Sequence, residues 1–387
     1  MVLTVVLCSF PYMIQKPVWK GMDTMVVVYI SEAFLYLCFS LLLGGLLSYV
    51  IPRTYQPGIE FPQKHMVLCI LGIALFSFMP VIRIVMVFAP DIGFWLTFKS
   101  VMTTFEEGKA YVLTLVLSVL ILLVILNNDI RTHVHLAVTS LFIVLGMIVA
   151  LGFSSHVYSL AAGVVGGVVH SVHFLAVSVW TGLLFMGGWY AKDRTRWLPF
   201  LKWFTPLSVA CMATIGVSGL IIMQYTVPQY INSWILTYGQ ALLLKHILII
   251  PLVTFAFING FVVRRRITQS PGYNGLAWIQ AESAIVFCIF AVTGFMGQQS
   301  PPHDVSLTLL ENKPSVLFNA LYQGGSPFQL PLSIAVNMPS LLLGVLALAL
   351  LCMVVFTFIN KQKMSAALVY SGSFILAAYL SLMLAVK

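Results

Sequence analysis

Apolar runs of roughly 18 to 25 residues alternate with short polar breaks along this chain, near 24–51, 65–89, 109–127, 133–153, 162–190, 200–224, 239–261, 277–297, 338–360 and 364–386. At 1.5 Å per residue, about 20 residues are needed to cross a hydrocarbon core of about 30 Å. The pattern predicts an all-α fold, a polytopic transmembrane helical bundle of about ten spans. Composition agrees: 60% of residues are hydrophobic, 8% are charged and mean hydropathy is +1.01. A soluble domain carries roughly 25% charged residues. The opening stretch VLTVVLCSF is too short to span and lacks a basic n-region or small-residue cleavage site. It predicts an interfacial or disordered start and no signal peptide.

Charge then orients the chain. Loops after odd-numbered spans carry Arg53, Lys64, Arg131, Lys192, Arg194, Arg196, Arg264, Arg265, Arg266, Lys361 and Lys363, whereas those after even-numbered spans carry Lys99, Lys109 and Lys313. The positive-inside rule places both termini on the extracytoplasmic face. The net charge of +9 therefore serves topology, and nucleic acid is excluded as a partner.

The polar residues inside the spans carry the candidate chemistry. Ser154–Tyr190 holds His156, His170 and His173 in a run otherwise apolar enough to cross a bilayer. Imidazoles are costly in hydrocarbon and mark protein interiors or wet cavities, so they are functional candidates. His170 and His173 are one helical turn apart and leave one helix face. Lys245 and His246 lie about two turns below the outer end of the seventh span, and adjacent residues point about 100° apart. His156 falls in an outer loop, and His170, His173 and His246 fall at similar depth, so the four are predicted to form a metal site. Met147, Met223 and Met296 at the same side, with His303, are possible secondary ligands. A methionine in a membrane helix is more often packing filler.

Glu32 and Arg83 sit at similar depth in the first two spans and predict a structural ion pair, with Pro80 kinking the second span. Glu282 lies near the inner end of the eighth span as helix anchor or part of an exit path. Asp91, Glu106 and Glu107 occupy an outer loop near 90–108 and are expected to be solvated, as are His133 and His135 at the inner interface. Gly163, Gly166 and Gly167 predict close helix packing. Cys8, Cys38, Cys69, Cys211, Cys288 and Cys352 are scattered singly and read as small hydrophobes.

HSVHFLAVSVWTGLL (170–184), FTPLSVACMATIGVSGL (204–220), GQALLLKHILIIPL (239–252), and Glu282 followed by Pro301-Pro302 resemble, in that order, the copper resistance D (CopD) domain family of integral membrane copper-handling proteins. The resemblance covers about 154–302, and the first four spans loosely. It implies a bacterial plasma (inner) membrane protein that handles copper with a separate extracytoplasmic copper-binding protein of the copper resistance C type. It matches the family's histidines to His156, His170 and His173, its intramembrane lysine to Lys245 and its acidic residue to Glu282, while His246 rests on depth alone.

The chain therefore divides into an extracytoplasmic or interfacial segment 1–23, four helices in 24–153, a copper resistance D-like core in 154–302, an extracytoplasmic loop 303–337 and two scaffold helices in 338–387. Imidazole and thioether suit Cu(I), and Cu(II) prefers nitrogen and oxygen donors. There is no phosphate-binding loop or Cys-Pro-Cys run, so the expected function is uptake of copper ions into the cytoplasm without ATP, and not catalysis. The alternative is an electron-transfer protein holding haem b between two axial histidines, such as His170 or His173 with His246.

Overall fold

The computed structural model describes residues 22–131, 133–192, 196–270, 273–324, 330–360 and 363–387. Cys8 and most of the 1–23 segment, Arg194 and Lys361 lie outside the described residues.

The described chain is helical, with no strand beyond the isolated bridges Ile59–Ala191 and Ile334–Val386. The long helices are α1 (Met22–Val50), α2 (Gln63–Phe76), α3 (Met79–Ile92), α5 (Glu106–Asn127), α6 (Val134–Phe153), α7 (Gly163–Phe185), α8 (Trp197–Thr226), α9 (Thr237–Phe257), α11 (Leu276–Gly297), α14 (Met338–Ile359) and α15 (Met364–Leu384). Short helices intervene at α4 (Phe94–Thr104), α10 (Arg264–Gln269), α12 (Val305–Glu311) and α13 (Val316–Leu321). Among the described residues, ten stretches are long and apolar enough to cross a membrane, with α2 and α3 making one span and α9 continuing through a π-helical turn (Ile258–Val263) into α10. The chain is a multi-pass membrane protein, as the hydrophobic pattern predicts.

The second span breaks where Pro80 has no amide to donate. Ser77 turns its Oγ and N–H back to the Ile73 carbonyl, at 2.6 and 3.0 Å, and α3 begins afresh. The loop expected at 90–108 is instead largely helix. Gly93 adopts φ +91°, a conformation that side chains resist, and so separates α3 from α4. Trp95 and Leu96 on α4 are 78% and 63% exposed, which suits a helix lying at a headgroup interface. Glu106 opens the first turn of α5 and pairs with Lys109 at 2.9 Å on an exposed surface.

Small residues set the central crossings. Gly44 of α1 faces Gly182 of α7, where backbone meets backbone, and the neighbouring Thr181 Oγ1 donates to Ser40 Oγ at 2.8 Å. Gly294 of α11 rests on α1, where an added Cβ would lie 2.9 Å from the Tyr29 carbonyl. Gly167 abuts the Phe153 ring and Gly152 abuts α7, so the close packing expected at the start of the fifth span holds at Gly167, whereas Gly163 has open space around it. The two C-terminal helices pack on each other and onto α9, where Gln240 contacts Met383 and accepts from the Tyr379 hydroxyl.

One end of the bundle is basic. There Lys192 pairs with Glu60, Arg196 donates to the Arg53 carbonyl at 2.8 Å, and Arg266 reaches the carbonyls of Phe358 and Ile359 at 3.3 Å. Lys192 holds the exposed Glu60 carboxyl below its ordinary range, yet so exposed a pair adds little to stability. His133 and His135 are exposed at this same end, their rings 5.4 Å apart.

Candidate functional site

The opposite end of the bundle gathers the histidines. His170 and His173 leave one face of α7, as their spacing requires. His173 Nδ1 lies 2.9 Å from Ser218 Oγ on α8. Ser218 has one proton, and it is directed to the Thr214 carbonyl at 2.5 Å, so Ser218 must accept from His173 Nδ1–H. That bond orients the His173 ring, as an outer hydrogen-bond partner orients a metal-ligating histidine, and the Ile215 carbonyl also lies within reach of the ring.

His246 of α9 pairs through Nδ1 with the Tyr230 hydroxyl at 2.7 Å. Tyr230 lies in the loop between α8 and α9, where burial pushes its hydroxyl up to about 12, so it stays protonated. If this bond holds the ring for ligation, Tyr230→Phe lowers copper affinity by roughly tenfold, the lower bound for loss of an orienting partner. A competition titration of the purified variant against the unaltered chain measures it.

His170 differs from both. Its Nδ1 is buried and has no hydrogen-bond partner among the described residues. Such an atom normally costs free energy, and a ligand-binding role is one of the few explanations for keeping it. The His156 ring lies within reach of the Gly297 carbonyl and acts electrostatically on His170. Lys245 acts electrostatically on His170, His173 and His246, and has no ion-pair or side-chain hydrogen-bond partner among the described residues. His156, His170, His173 and Lys245 thus act on one another, while His246 is linked to them only through its chain neighbour Lys245. No set of three His, Cys, Asp or Glu side chains among the described residues converges closely enough to close around one ion.

The secondary candidates are dispersed. Met147 is fully enclosed by aliphatic side chains of α1, α2, α5 and α6. Met296 packs with Val227, Tyr238 and Leu242, while Met223 is half-buried on α8. His303 is exposed, its Nδ1 3.3 Å from the Pro301 carbonyl.

Glu32 and Arg83 do not form the direct ion pair that their depths predict. Gln298 stands between them, donating from Nε2 to Glu32 Oε1 at 3.0 Å and accepting from Arg83 at its carbonyl at 3.2 Å. A neutral amide and backbone thereby link two intramembrane charges on α1 and α3 to the end of α11. Depth along a helix is readable from sequence, but the side chain inserted between two helices is not.

Toward the basic end, Glu282 is buried and accepts from Asn259 Nδ2 at 2.7 Å. Asn259 also donates to the Trp278 carbonyl at 3.1 Å, and its own Oδ1 is buried without a partner. Both residues line a cavity of about 280 Å³ between α7, α8, α9 and α11, walled by Trp180, Phe204, Met212 and Phe257. Sequence reasoning found Glu282 but neither Asn259 nor the cavity, because Asn259 sits in the π-helical turn, whose register an apolar run does not disclose.

Residues 198–296 match the family model described as Copper resistance protein D, so this part of the chain carries a copper resistance D-family region. The match contains Lys245, His246 and Glu282, and begins after His156, His170 and His173. The chain is also 24% identical over 201 residues to a protein of Bacillus subtilis (strain 168) named Copper transport protein CutJ, covering 50% of this chain and 35% of that relative. The aligned region thus spans about a third of the relative's length. No solved structure matches.

Proposed function

We propose that this chain carries copper ions across a bacterial plasma membrane, inward from the face at which His156, His170, His173 and His246 gather. The observation that carries the reading is the histidine pair on α7, with the buried Nδ1 of His170, unpartnered among the described residues, beside a His173 ring oriented by Ser218. The copper resistance D-family region and the name of the Bacillus relative support copper as the cargo and transport as the activity, in place of enzymatic turnover. Nothing comparable favours the haem alternative.

The direction rests on the positive-inside rule, which puts the basic end in the cytoplasm and the histidine end outside. An inside-negative potential contributes about 2.3 kcal/mol per charge per 100 mV, sufficient to favour cation entry without ATP. Neutral imidazoles bind the arriving ion. Lys245 opposes tight cation binding, which suits a site that must release what it takes. On the inward side, Glu282 and the cavity beside it supply an acidic exit. A separate extracytoplasmic protein of the copper resistance C type would deliver the ion.

The test is copper flux in vesicles containing the purified chain. An imposed inside-negative potential should drive copper through chains whose histidine end faces outward, and collapse of the potential should slow entry to the leak of empty vesicles. Flux equal to that of empty vesicles under both conditions would reject transport.

A further inference from the structure

Two cysteines that are far apart in the sequence meet inside the bundle. Cys38 lies in the middle of α1, and Cys69 lies in α2 within the same buried core. Their thiols face one interface, close enough to act on each other. Both are free, not joined as a disulfide. Backbone geometry independently fixes the pair. Cys38 Sγ is seated against α2 at Gly72, one turn beyond Cys69, where an added Cβ would stand 2.6 Å from the sulfur. Any side chain at 72 would push Cys38 away, so a glycine there keeps the two sulfurs on one face of the interface. Met66, one turn before Cys69, belongs to the same core, as does Met147.

The donor set selects the ligand. Two thiols in an apolar core offer only soft sulfur, and hard cations that demand six or more oxygens are excluded. Zinc in a structural site takes four ligands, and no group of three His, Cys, Asp or Glu converges here among the described residues. Cu(I) is the soft ion that accepts so few donors. Charge balance agrees. When Cu(I) displaces one proton, one thiolate and one thiol hold the ion in a complex of zero net charge, and the proton leaves to water. Removing the second proton would bury a net negative charge, at a cost that the aliphatic surroundings do not offset.

We propose that Cys38 and Cys69 form an intramembrane Cu(I) site, separate from the histidines. The proposal rests on copper being the cargo, and adds to that reading a second binding position and the oxidation state at which the ion occupies it.

The test uses the full chain, purified without oxygen, with Cys8, Cys211, Cys288 and Cys352 replaced by alanine and with His170→Ala/His173→Ala added. Cu(I) is supplied in competition with a chromophoric Cu(I) chelator, and the ultraviolet thiolate-to-Cu(I) charge-transfer band is recorded. The expected result is one bound equivalent with that band, affinity falling at least tenfold in Cys38→Ser and in Cys69→Ser. Cys69→Met should lose less affinity, because a thioether remains a soft donor, and it controls for damage to the fold. X-ray absorption of the loaded parent should find sulfur as the first neighbour. Cu(I) binding that survives both serine variants overturns the proposal. Binding seen only when His170 and His173 are present also overturns it, but leaves copper transport standing. Failure of the unaltered chain to bind copper at any position rejects both.

Discussion

Gly182→Val is expected to destabilise the protein by about 3 kcal/mol or more, at the upper end of overpacking penalties. A side chain at 182 would collide with the Ser40 carbonyl oxygen and the backbone of Gly44, and neither can rotate away as a side chain could. Relief requires α1 and α7 to separate. Separation would also stretch the Thr181–Ser40 hydrogen bond and open the interface on which Phe174 meets Tyr36 and Phe39. Gly44→Ala should act in the same direction. The double variant should cost less than the sum of the singles, because helices already forced apart have room for the second methyl. The fraction of protein remaining monodisperse after graded heating in detergent measures the effect, and a Gly182→Val protein as heat-resistant as the parent would contradict this account of the crossing.

His170→Ala/His173→Ala is expected to lower copper affinity by at least about a hundredfold, since even loss of an orienting partner costs 10- to 100-fold. The fold should tolerate the change. His170 Nδ1 has no bond to lose, and Ser218, deprived of His173, still donates to the Thr214 carbonyl. Binding in the unaltered chain should weaken in acid, because a ligating imidazole must be neutral. Competition titrations at successively lower pH should show affinity falling. Uptake should fall in parallel with affinity in the variant.

The features legible in the sequence are those set by a single helix. Span number, the break at Pro80 and the shared face of His170 and His173 follow from length, a missing amide and the helical repeat. Features made between helices were hidden. The Gly44–Gly182 crossing joins residues 138 positions apart, and small residues at many other places look the same. Gln298 between Glu32 and Arg83 carried no signal of its own, and neither did Tyr230 beside His246. The scattered cysteines read correctly as small apolar residues at Cys211, which is buried in a hydrophobic core. Cys38 and Cys69 likewise pack in a hydrophobic core, but their proximity depends on how α1 packs on α2 and leaves no mark in the sequence. The helix at Phe94–Thr104 was missed because its polar residues mimic a loop, whereas its apolar Trp95 and Leu96 remain exposed.

Whether the histidines of α7 hold copper is read from the metal content of the purified chain. Elemental analysis and a visible spectrum should be recorded on the unaltered protein after exposure to copper and on His170→Ala/His173→Ala treated alike. The expected result is copper in the unaltered protein, less in the variant by what the histidines hold, with the Cys38–Cys69 equivalent retained, and no haem absorbance in either. Copper retained equally by both would contradict the histidine site, and a haem spectrum lost in the variant would replace copper transport with electron transfer.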